Sequence, residues 1–143
     1  MKISIIIPVY NDQRSIENCI NSVLSQSYKN MEILVCDDGS TDKTYQILKY
    51  KYSSRILLYK NNVRKGVVYS RNLLLEKATG DLISFLDSDD TIIYNRNEIF
   101  VNEFQKDNKL ILCGSNFNFF FNNKFIRKSR VPILSKKINK NKI

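Results

Sequence analysis

The first apolar segment constrains the fold more than any other feature of this sequence. Residues 3–9 read Ile-Ser-Ile-Ile-Ile-Pro-Val, so they are rich in β-branched side chains and almost continuously apolar. A strand with one face in solvent alternates apolar and polar residues, whereas a strand covered on both faces does not. The segment therefore predicts a central strand of a parallel sheet, and parallel strands need long crossover connections, usually helices.

The rest of the chain alternates in the way that this strand requires. Apolar residues recur at helical spacing from Ile16 to Leu24, which predicts an amphipathic helix. Further strands are predicted at 32–36, 55–59, 82–86 and 110–113, and further helices at 45–52, 67–78 and 99–104. Strands that alternate with helices predict right-handed βαβ units, hence an α/β fold with a mainly parallel, Rossmann-like sheet flanked by helices. A chain of 143 residues supports one core of ordinary size.

Composition changes twice near the carboxyl terminus. We expect an α/β domain over residues 1–115, a β-hairpin extension over 116–131, where Asn and Phe alternate around Asn122-Asn123, and a basic tail over 132–143. Eight of the 23 basic residues and none of the 14 acidic ones lie in 124–143, so positions 1–123 have a net charge of only +1. The net charge of +9 therefore belongs to the end of the chain, and we expect no nucleic-acid partner. This end either contacts an anionic membrane or is simply solvated.

Cysteine and histidine content narrows the chemistry. The three cysteines, Cys19, Cys36 and Cys113, are far apart and form no C-x-x-C pair, so neither a disulfide framework nor a zinc site is expected. Reduced thiols agree with a cytoplasmic protein. Histidine is absent, which excludes histidine-based triads and histidine metal ligands. Any metal must be held by oxygen.

Polar residues follow three of the predicted strands. Pro8 to Asn11 follow the first strand, Asp37-Asp38-Gly39-Ser40 the second, and Asp87-Ser88-Asp89-Asp90 the strand at 82–86. Ligands of open parallel sheets bind beyond the carboxyl ends of the strands, so we expect these groups at one rim. Clustered carboxylates repel one another unless a cation offsets them, and Mg²⁺ or Mn²⁺ suits such oxygen ligands. The alternative is an Asp-rich turn that caps a helix in solvent.

Taken together, these segments resemble a known family. They are Ile5-Ile6-Ile7-Pro8-Val9-Tyr10-Asn11, Leu34 to Asp42, Gly66 with Ser70-Arg71-Asn72, Ala78-Thr79-Gly80-Asp81, and Phe85-Leu86-Asp87-Ser88-Asp89-Asp90. In this order and spacing they resemble the nucleotide-sugar-binding half of the family 2 glycosyltransferases, which have the GT-A fold. The resemblance covers roughly residues 1–115.

The resemblance implies roles by position. Tyr10 and Asp38 would contact the base, Arg71 would approach the ribose or diphosphate, and Asp89 or Asp90 would lie closest to Mn²⁺ or Mg²⁺. UDP-sugars are the expected donors. The residues expected to bind the nucleotide-sugar are Pro8, Val9, Tyr10, Asn11, Asp37, Asp38, Arg71, Asp87, Ser88 and Asp89. The residues expected at the metal are Asp87, Asp89 and Asp90.

The implied reaction is transfer of the sugar, with inversion, to a saccharide or lipid-linked acceptor in cell-surface polysaccharide synthesis. It would take place in the cytoplasm or at the inner face of the membrane. Family members use a downstream Asp or Glu as general base, but only Glu98, Glu103 and Asp107 follow the acidic cluster. We therefore expect a transferase that is truncated, and so lacks the base and the acceptor-binding half, or one that is completed by a partner chain.

Two other interpretations stay open. One is a non-catalytic nucleotide-sugar-binding fragment, which would bind a donor without turnover. The other is a phosphoryl-transfer or receiver-like domain, whose acidic pocket also lies at strand ends and which would form an aspartyl-phosphate at Asp37 or Asp87.

Overall fold

A computed structural model describes residues 1–121 and 124–129 of the chain. The chain divides into two compact units, Met1–Glu98 and a second that begins at Ile99. In chain order the elements are β1 (Ile3–Val9), α1 (Ile16–Leu24), β2 (Met31–Asp37), α2 (Thr44–Ile47, followed by a π-helical turn at Leu48–Tyr52), β3 (Leu57–Lys60), α3 (Val67–Lys77), β4 (Leu82–Phe85), α4 (Arg96–Lys106), β5 (Asn118–Phe121) and β6 (Lys124–Lys128).

The first unit contains the predicted parallel sheet. Its strand order is β3-β2-β1-β4, and every neighbouring pair is parallel. All seven residues of β1 are buried, and Ile6 pairs with Leu34 on one side and Phe85 on the other. The α/β class and the central position of β1 are therefore confirmed. Since all four strands run the same way, their carboxyl ends lie at one edge.

The sheet packs against α3 through a small apolar cluster. Ile6, Leu34 and Cys36 contact Leu74 of this helix, and all four side chains are fully buried. Removing a buried Ile or Leu side chain down to Ala costs about 2–5 kcal/mol. This packing fixes α3, and with it Arg71, relative to the strand ends.

The predicted strand at 110–113 is wrong. Residues 111–117 have no regular structure, and a turn precedes them at 108–109. The segment is apolar enough for a strand, but a strand needs a ladder partner, and no strand of the described chain pairs with it. The predicted hairpin pairing does form, since β5 and β6 are antiparallel. Its turn at Asn122-Asn123 and the basic tail at 132–143 lie outside the described residues.

A buried glutamine fixes the segment that follows β4. Gln26, just after α1, is fully buried and donates to the Ile93 carbonyl at 2.7 Å, while its Oε1 accepts from the Asn97 N–H at 3.1 Å. The chain that leaves the acidic cluster is thus held by hydrogen bonds to Gln26. Within the described residues, no helix is long and apolar enough to cross a membrane.

The amino-terminal edge of the sheet is closed by a polar network around Glu32. Its carboxylate accepts from Lys2 Nζ at 2.7 Å, Ser4 Oγ at 2.5 Å and the Thr79 N–H at 2.7 Å. Burial tends to raise the pKa of Glu32, but the hydrogen bonds from Lys2, Ser4 and Thr79 outweigh it and lower the pKa to about 2. The network joins β1, β2 and the turn before β4 at the edge opposite the candidate site.

Candidate functional site at the carboxyl edge of the sheet

Strand pairing brings the predicted site residues to one edge. Val9 at the end of β1 pairs with Asp37 at the end of β2, and the Asp38 N–H continues the ladder to the Val9 carbonyl at 2.8 Å. On the other side of β1, the Leu86 N–H donates to the Ile6 carbonyl at 3.1 Å, so Asp87 leaves the sheet at this edge. Pro8 and Val9 are buried, whereas Tyr10 is 37% exposed and lies at the surface.

Asp38 holds a loop. The carboxylate is 3% exposed, and its Oδ1 accepts from Asn61 Nδ2 at 2.7 Å and from the Lys65 N–H at 2.9 Å. Its Oδ2 accepts from the Gly66 N–H at 2.7 Å. Burial tends to raise the pKa of Asp38, but the hydrogen bonds from Lys65, Asn61 and Gly66 outweigh it and keep the pKa below its usual value. At most one acceptor position remains on this carboxylate for a ligand.

Asp37 is the more buried carboxylate of the pair. It has no solvent exposure; its Oδ2 accepts from the Ser40 N–H at 3.2 Å, which supports the turn. Its Oδ1 is buried and has no hydrogen-bond partner among the described groups. A buried acceptor without a donor costs about 1–3 kcal/mol, which is a cost more often found at functional sites than in ordinary turns.

Gly39 lets the turn approach the loop after β3. Its backbone has a φ of +74°, and a Cβ at this position would lie 2.8 Å from both Arg64 N and Val63 C. Any side chain would therefore strain the turn and collide with backbone. The group that approaches Gly39 is the loop of residues 61–66.

Asn11 joins two loops of the site. Its φ is +50°, its N–H donates to Ser40 Oγ at 2.9 Å, and its Oδ1 accepts from the Thr41 N–H at 2.8 Å. A second bond links the same loops, from the Asp12 N–H to Thr44 Oγ1 at 2.8 Å. The Asn11 amide therefore sets the relative position of the segments after β1 and β2.

Arg71 and Asp87 form an ion pair across the site. Arg71 Nη2 lies 2.6 Å from Asp87 Oδ1, with side-chain exposures of 36% and 57%. At such exposure the pair adds little to stability, because water and salt screen it. Arg71 Nε is buried and has no partner within the described chain. One guanidinium donor is therefore left unsatisfied beside the acidic cluster.

The acidic cluster itself is a surface turn. The Asp90 N–H donates to the Asp87 carbonyl at 3.1 Å, Ser88 is half-buried, and Asp89 and Asp90 are exposed. No hydrogen bond or ion pair engages the Asp89 carboxylate within the described residues. Burial and then the charges of Asp89 and Asp87 raise the pKa of Asp90. This repulsion is the strain that a cation would relieve.

The buried thiol of Cys19 contacts the backbone of this turn. Its Sγ lies 3.5 Å from the Asp87 carbonyl. Burial, followed by the charges of Asp12, Asp90, Asp89 and Asp87, raises the pKa of Cys19 to about 12. The sulfur is therefore a neutral S–H donor toward the Asp87 carbonyl at ordinary pH.

The carboxylate oxygens of this turn fit Mg²⁺ or Mn²⁺, with only one or two of the metal ligands supplied by the protein. Among the residues that the structure describes, no three Cys, Asp or Glu side chains form a ready-made metal cluster. These ions do not require one, because they commonly keep water and bind through one or two carboxylates plus a substrate phosphate. Asp89 is unengaged and Asp87 is held only by an exposed ion pair, so two carboxylates are available.

Two residues at this edge were missed by the sequence analysis. Arg64 places its guanidinium carbon 4.3 Å from the centre of the Tyr10 ring, and Asn61 is the buried partner of Asp38. Both lie in a loop that has no helical or strand periodicity. The only signal was a cationic, Gly-ended loop between β3 and α3.

Comparison with known proteins decides the family. Residues 4–143 match the sequence model of glycosyl transferase family 2. The chain belongs to glycosyl transferase family 2. The resemblance noted in the sequence is thereby confirmed.

Two curated relatives of this family 2 chain come from Escherichia coli. It is 41% identical over 142 residues to the Escherichia coli UDP-Glc:alpha-D-GlcNAc-diphosphoundecaprenol beta-1,3-glucosyltransferase WfgD, covering 99% of this chain and 54% of WfgD. It is 43% identical over 117 residues to the E. coli enzyme WfaP, whose name gives the same activity, covering 80% of this chain and 45% of WfaP. The chain thus spans about half the length of these relatives.

Solved structures agree with the fold. S. aureus TarS 1-349 in complex with UDP-GlcNAc matches with a TM-score of 0.69 and 32% identity, over 74% of this chain and 32% of that one. The mannosyltransferase PcManGT from Pyrobaculum calidifontis, in complex with GDP-Man and Mn²⁺, matches with a TM-score of 0.58 and 27% identity, over 63% of this chain and 28% of that one. The parallel sheet and its helices are therefore those of the GT-A-like nucleotide-sugar transferases, as the sequence predicted.

Proposed function

We propose that this chain is the donor-binding part of a glycosyltransferase that takes its sugar from a UDP-sugar. The observation that carries the proposal is the composition of one sheet edge. This edge combines an exposed aromatic ring, Tyr10, with an arginine that keeps a free donor, Arg71, and an acidic turn at 87–90. A base, a diphosphate and a cation need these three kinds of group. The names of WfgD and TarS support a UDP-sugar as the donor class.

Different residues bind different parts of the nucleotide-sugar. Tyr10 offers its ring to the base, and Asp37 offers the unpartnered Oδ1 to a base or ribose donor. Asp38 contributes mainly by holding the loop of residues 61–66, and Asn11 by joining the segments after β1 and β2. Arg71 pairs with a diphosphate oxygen through its guanidinium, since Arg matches such oxygens with two parallel hydrogen bonds.

Asp89 and Asp87, with Asp90 beside them, would hold a divalent cation, Mn²⁺ or Mg²⁺. When bound, the cation offsets charge on the nucleoside diphosphate as it leaves the sugar. The support is the raised pKa of Asp90, caused by burial and then by the charges of Asp89 and Asp87, together with the Mn²⁺ in the related mannosyltransferase complex. Arg71 assists from the protein side by placing a fixed positive charge at the same leaving group.

The acceptor site and the general base belong to the remainder of a complete transferase, supplied by further polypeptide or by a partner chain. A lipid-linked saccharide is the proposed acceptor, because WfgD and WfaP carry diphosphoundecaprenol-linked GlcNAc in their names. Such an acceptor places the reaction at the inner face of a membrane, where the basic residues of 124–143 meet anionic headgroups.

Isothermal calorimetry tests donor binding. We expect UDP-glucose and UDP to bind in the presence of Mn²⁺, and Asp89→Ala to remove most of the metal-dependent part of the affinity. Glu103→Ala is the matched control, because Glu103 is an exposed acidic residue on α4 and is paired only with Lys106. If the unmodified chain binds no nucleoside diphosphate or its sugar, with or without Mn²⁺, the proposal is wrong.

Turnover distinguishes a transferase from a binding fragment. Release of UDP from UDP-glucose in the presence of a lipid-linked GlcNAc acceptor, abolished by Asp89→Ala, would show transfer by this chain. Donor binding without such release would show that the chain needs the remaining half for catalysis.

A further inference from the structure

The loop of residues 61–66 is built as a fixed platform beside Tyr10. The Asn61 N–H donates to the Asp37 carbonyl at 2.8 Å, and both ends of the loop donate to the Asp38 carboxylate, through Asn61 Nδ2 and through the N–H groups of Lys65 and Gly66. Between these ends, the backbone of Val63 and Arg64 lies against Gly39. The backbone position of Arg64 is therefore set by the turn after β2.

From this platform Arg64 extends its side chain over the face of Tyr10. The guanidinium carbon lies 4.3 Å from the ring centre, which is within the range of a cation–π contact. Both side chains are at the surface, and the guanidinium forms no ion pair or hydrogen bond with any residue of the described chain. Because only one exposed contact holds the guanidinium, separating it from the ring costs little.

Both groups are flat and can stack on a third flat group once they separate. Nucleobases stack on aromatic rings and also on arginine guanidinium planes. A lysine ammonium can lie over a tyrosine ring, as Lys65 does over Tyr69, but it has no plane on which a base can stack. The pair lies at the carboxyl edge of the sheet, where Arg71 also lies.

We propose that Arg64 and Tyr10 form a clamp that holds the nucleobase between the guanidinium and the ring. The inference rests on the proposed nucleotide-sugar site and adds a base-contacting residue to it. The base enters as the guanidinium moves away by the thickness of one ring, and the pinned backbone of the loop stays in place. Arg64 thus contributes to binding of the base, and the diphosphate is left to Arg71.

Three probes separate the two roles: uridine, UDP and inorganic pyrophosphate. We expect Arg64→Ala to weaken uridine and UDP binding by a similar factor, about tenfold, and to leave pyrophosphate binding unchanged. Arg64→Lys should recover only part of the loss, since the charge remains but the plane does not. NMR titration suits the weak ligands, and calorimetry with Mn²⁺ suits UDP.

Arg55→Ala is the matched control, because Arg55 also lies over a tyrosine, 5.7 Å from the centre of Tyr52, but in the segment before β3. We expect it to bind all three probes as the unmodified chain does. Circular dichroism melting of both alanine variants verifies that they fold.

Two results would overturn the clamp alone: Arg64→Ala binding uridine and UDP as tightly as the unmodified chain, or a loss confined to UDP and pyrophosphate, which would place Arg64 on the phosphates. If the unmodified chain binds none of the three probes, the proposed function fails, and the clamp fails with it.

Discussion

Asp37 and Asp38 are neighbouring aspartates at the end of β2, but their carboxylates differ in how many hydrogen bonds they accept. The resemblance implied a carboxylate that contacts a base, and the geometry shows one that accepts three hydrogen bonds from the chain itself. Its neighbour Asp37 has the reverse character, because one of its buried oxygens has no partner within the described residues. Asp38 therefore mainly holds the loop in place, and Asp37 is the better candidate for a contact with a ligand.

Replacing Asp38 should therefore destabilise the chain more than replacing an aspartate of the acidic turn. Asp38→Ala leaves two backbone N–H groups and the Asn61 amide without their acceptor, so we expect a loss of about 1–3 kcal/mol in the free energy of unfolding. Urea denaturation measures it. Asp89→Ala is the control, since its exposed carboxylate has no partner in the described chain, and should change stability by less than about 0.5 kcal/mol. Equal effects of the two variants would contradict the scaffold role.

The helices and strands that were predicted correctly from the sequence are those whose buried faces leave a clear apolar pattern. The strand at 3–9 and the helix at 16–24 were predictable because their apolar patterns are determined by which faces are covered. The segment at 110–113 has a similar apolar character but no partner strand, which no local pattern reveals. The positions of Asp37 and Asp87 at the carboxyl edge could be predicted, because they follow from the parallel topology. The position of Arg64 could not, because it depends on hydrogen bonds from its loop to Asp38, and the loop has no periodic pattern of apolar residues.

The connection between α3 and β4 gives an element-scale prediction. A Cβ on Gly80 would lie 2.6 Å from the Ser4 N atom and 2.8 Å from the Lys2 carbonyl, so Gly80→Ala pushes the connection away from β1. We expect a loss of about 1–3 kcal/mol in the free energy of unfolding, measured by chemical denaturation.

Gly114→Ala supplies the comparison. Its Cβ meets no atom within 4 Å and its φ is not positive, so stability should be unchanged or slightly higher. A Gly80→Ala variant as stable as Gly114→Ala would show that the contact with β1 is not close in solution.

Across the whole first unit, polar groups are distributed unevenly between the two edges of the sheet. The amino edge is closed by Glu32, whose oxygens are satisfied by Lys2, Ser4 and Thr79. The carboxyl edge retains unpartnered buried atoms on Asp37 and Arg71 among the described groups. The polar groups of one edge are thus satisfied internally, whereas the other edge keeps unsatisfied groups at the proposed donor site.

This division predicts how stability depends on pH. The pKa of Glu32 is about 2 in the folded chain against 4.5 for an unperturbed glutamate, so its ionised form stabilises the fold fully above about pH 4.5, and this contribution is lost as the pH falls toward 2. The linked free energy is on the order of 3 kcal/mol, from about 1.4 kcal/mol per pKa unit. Urea denaturation between pH 2 and 7 measures it.

Glu32→Gln cannot titrate, so its stability should fall less steeply than that of the unmodified chain between pH 4.5 and 2. Glu76→Gln, at an exposed position on α3, should follow the unmodified chain throughout. Parallel curves for the unmodified chain and Glu32→Gln would refute the assignment of this acid sensitivity to Glu32.

The ion pair between Arg71 and Asp87 means that Arg71 competes with a metal cation for the Asp87 carboxylate. In the proposed donor site, a metal ion that takes Asp87 Oδ1 as a ligand would compete with an internal counterion 2.6 Å away. A bound diphosphate would draw the guanidinium toward itself and free this oxygen. Metal and nucleotide would then strengthen each other's binding by an equal factor, because coupling between two ligands is reciprocal. Mn²⁺ alone should accordingly bind weakly, and its affinity should rise when UDP is present.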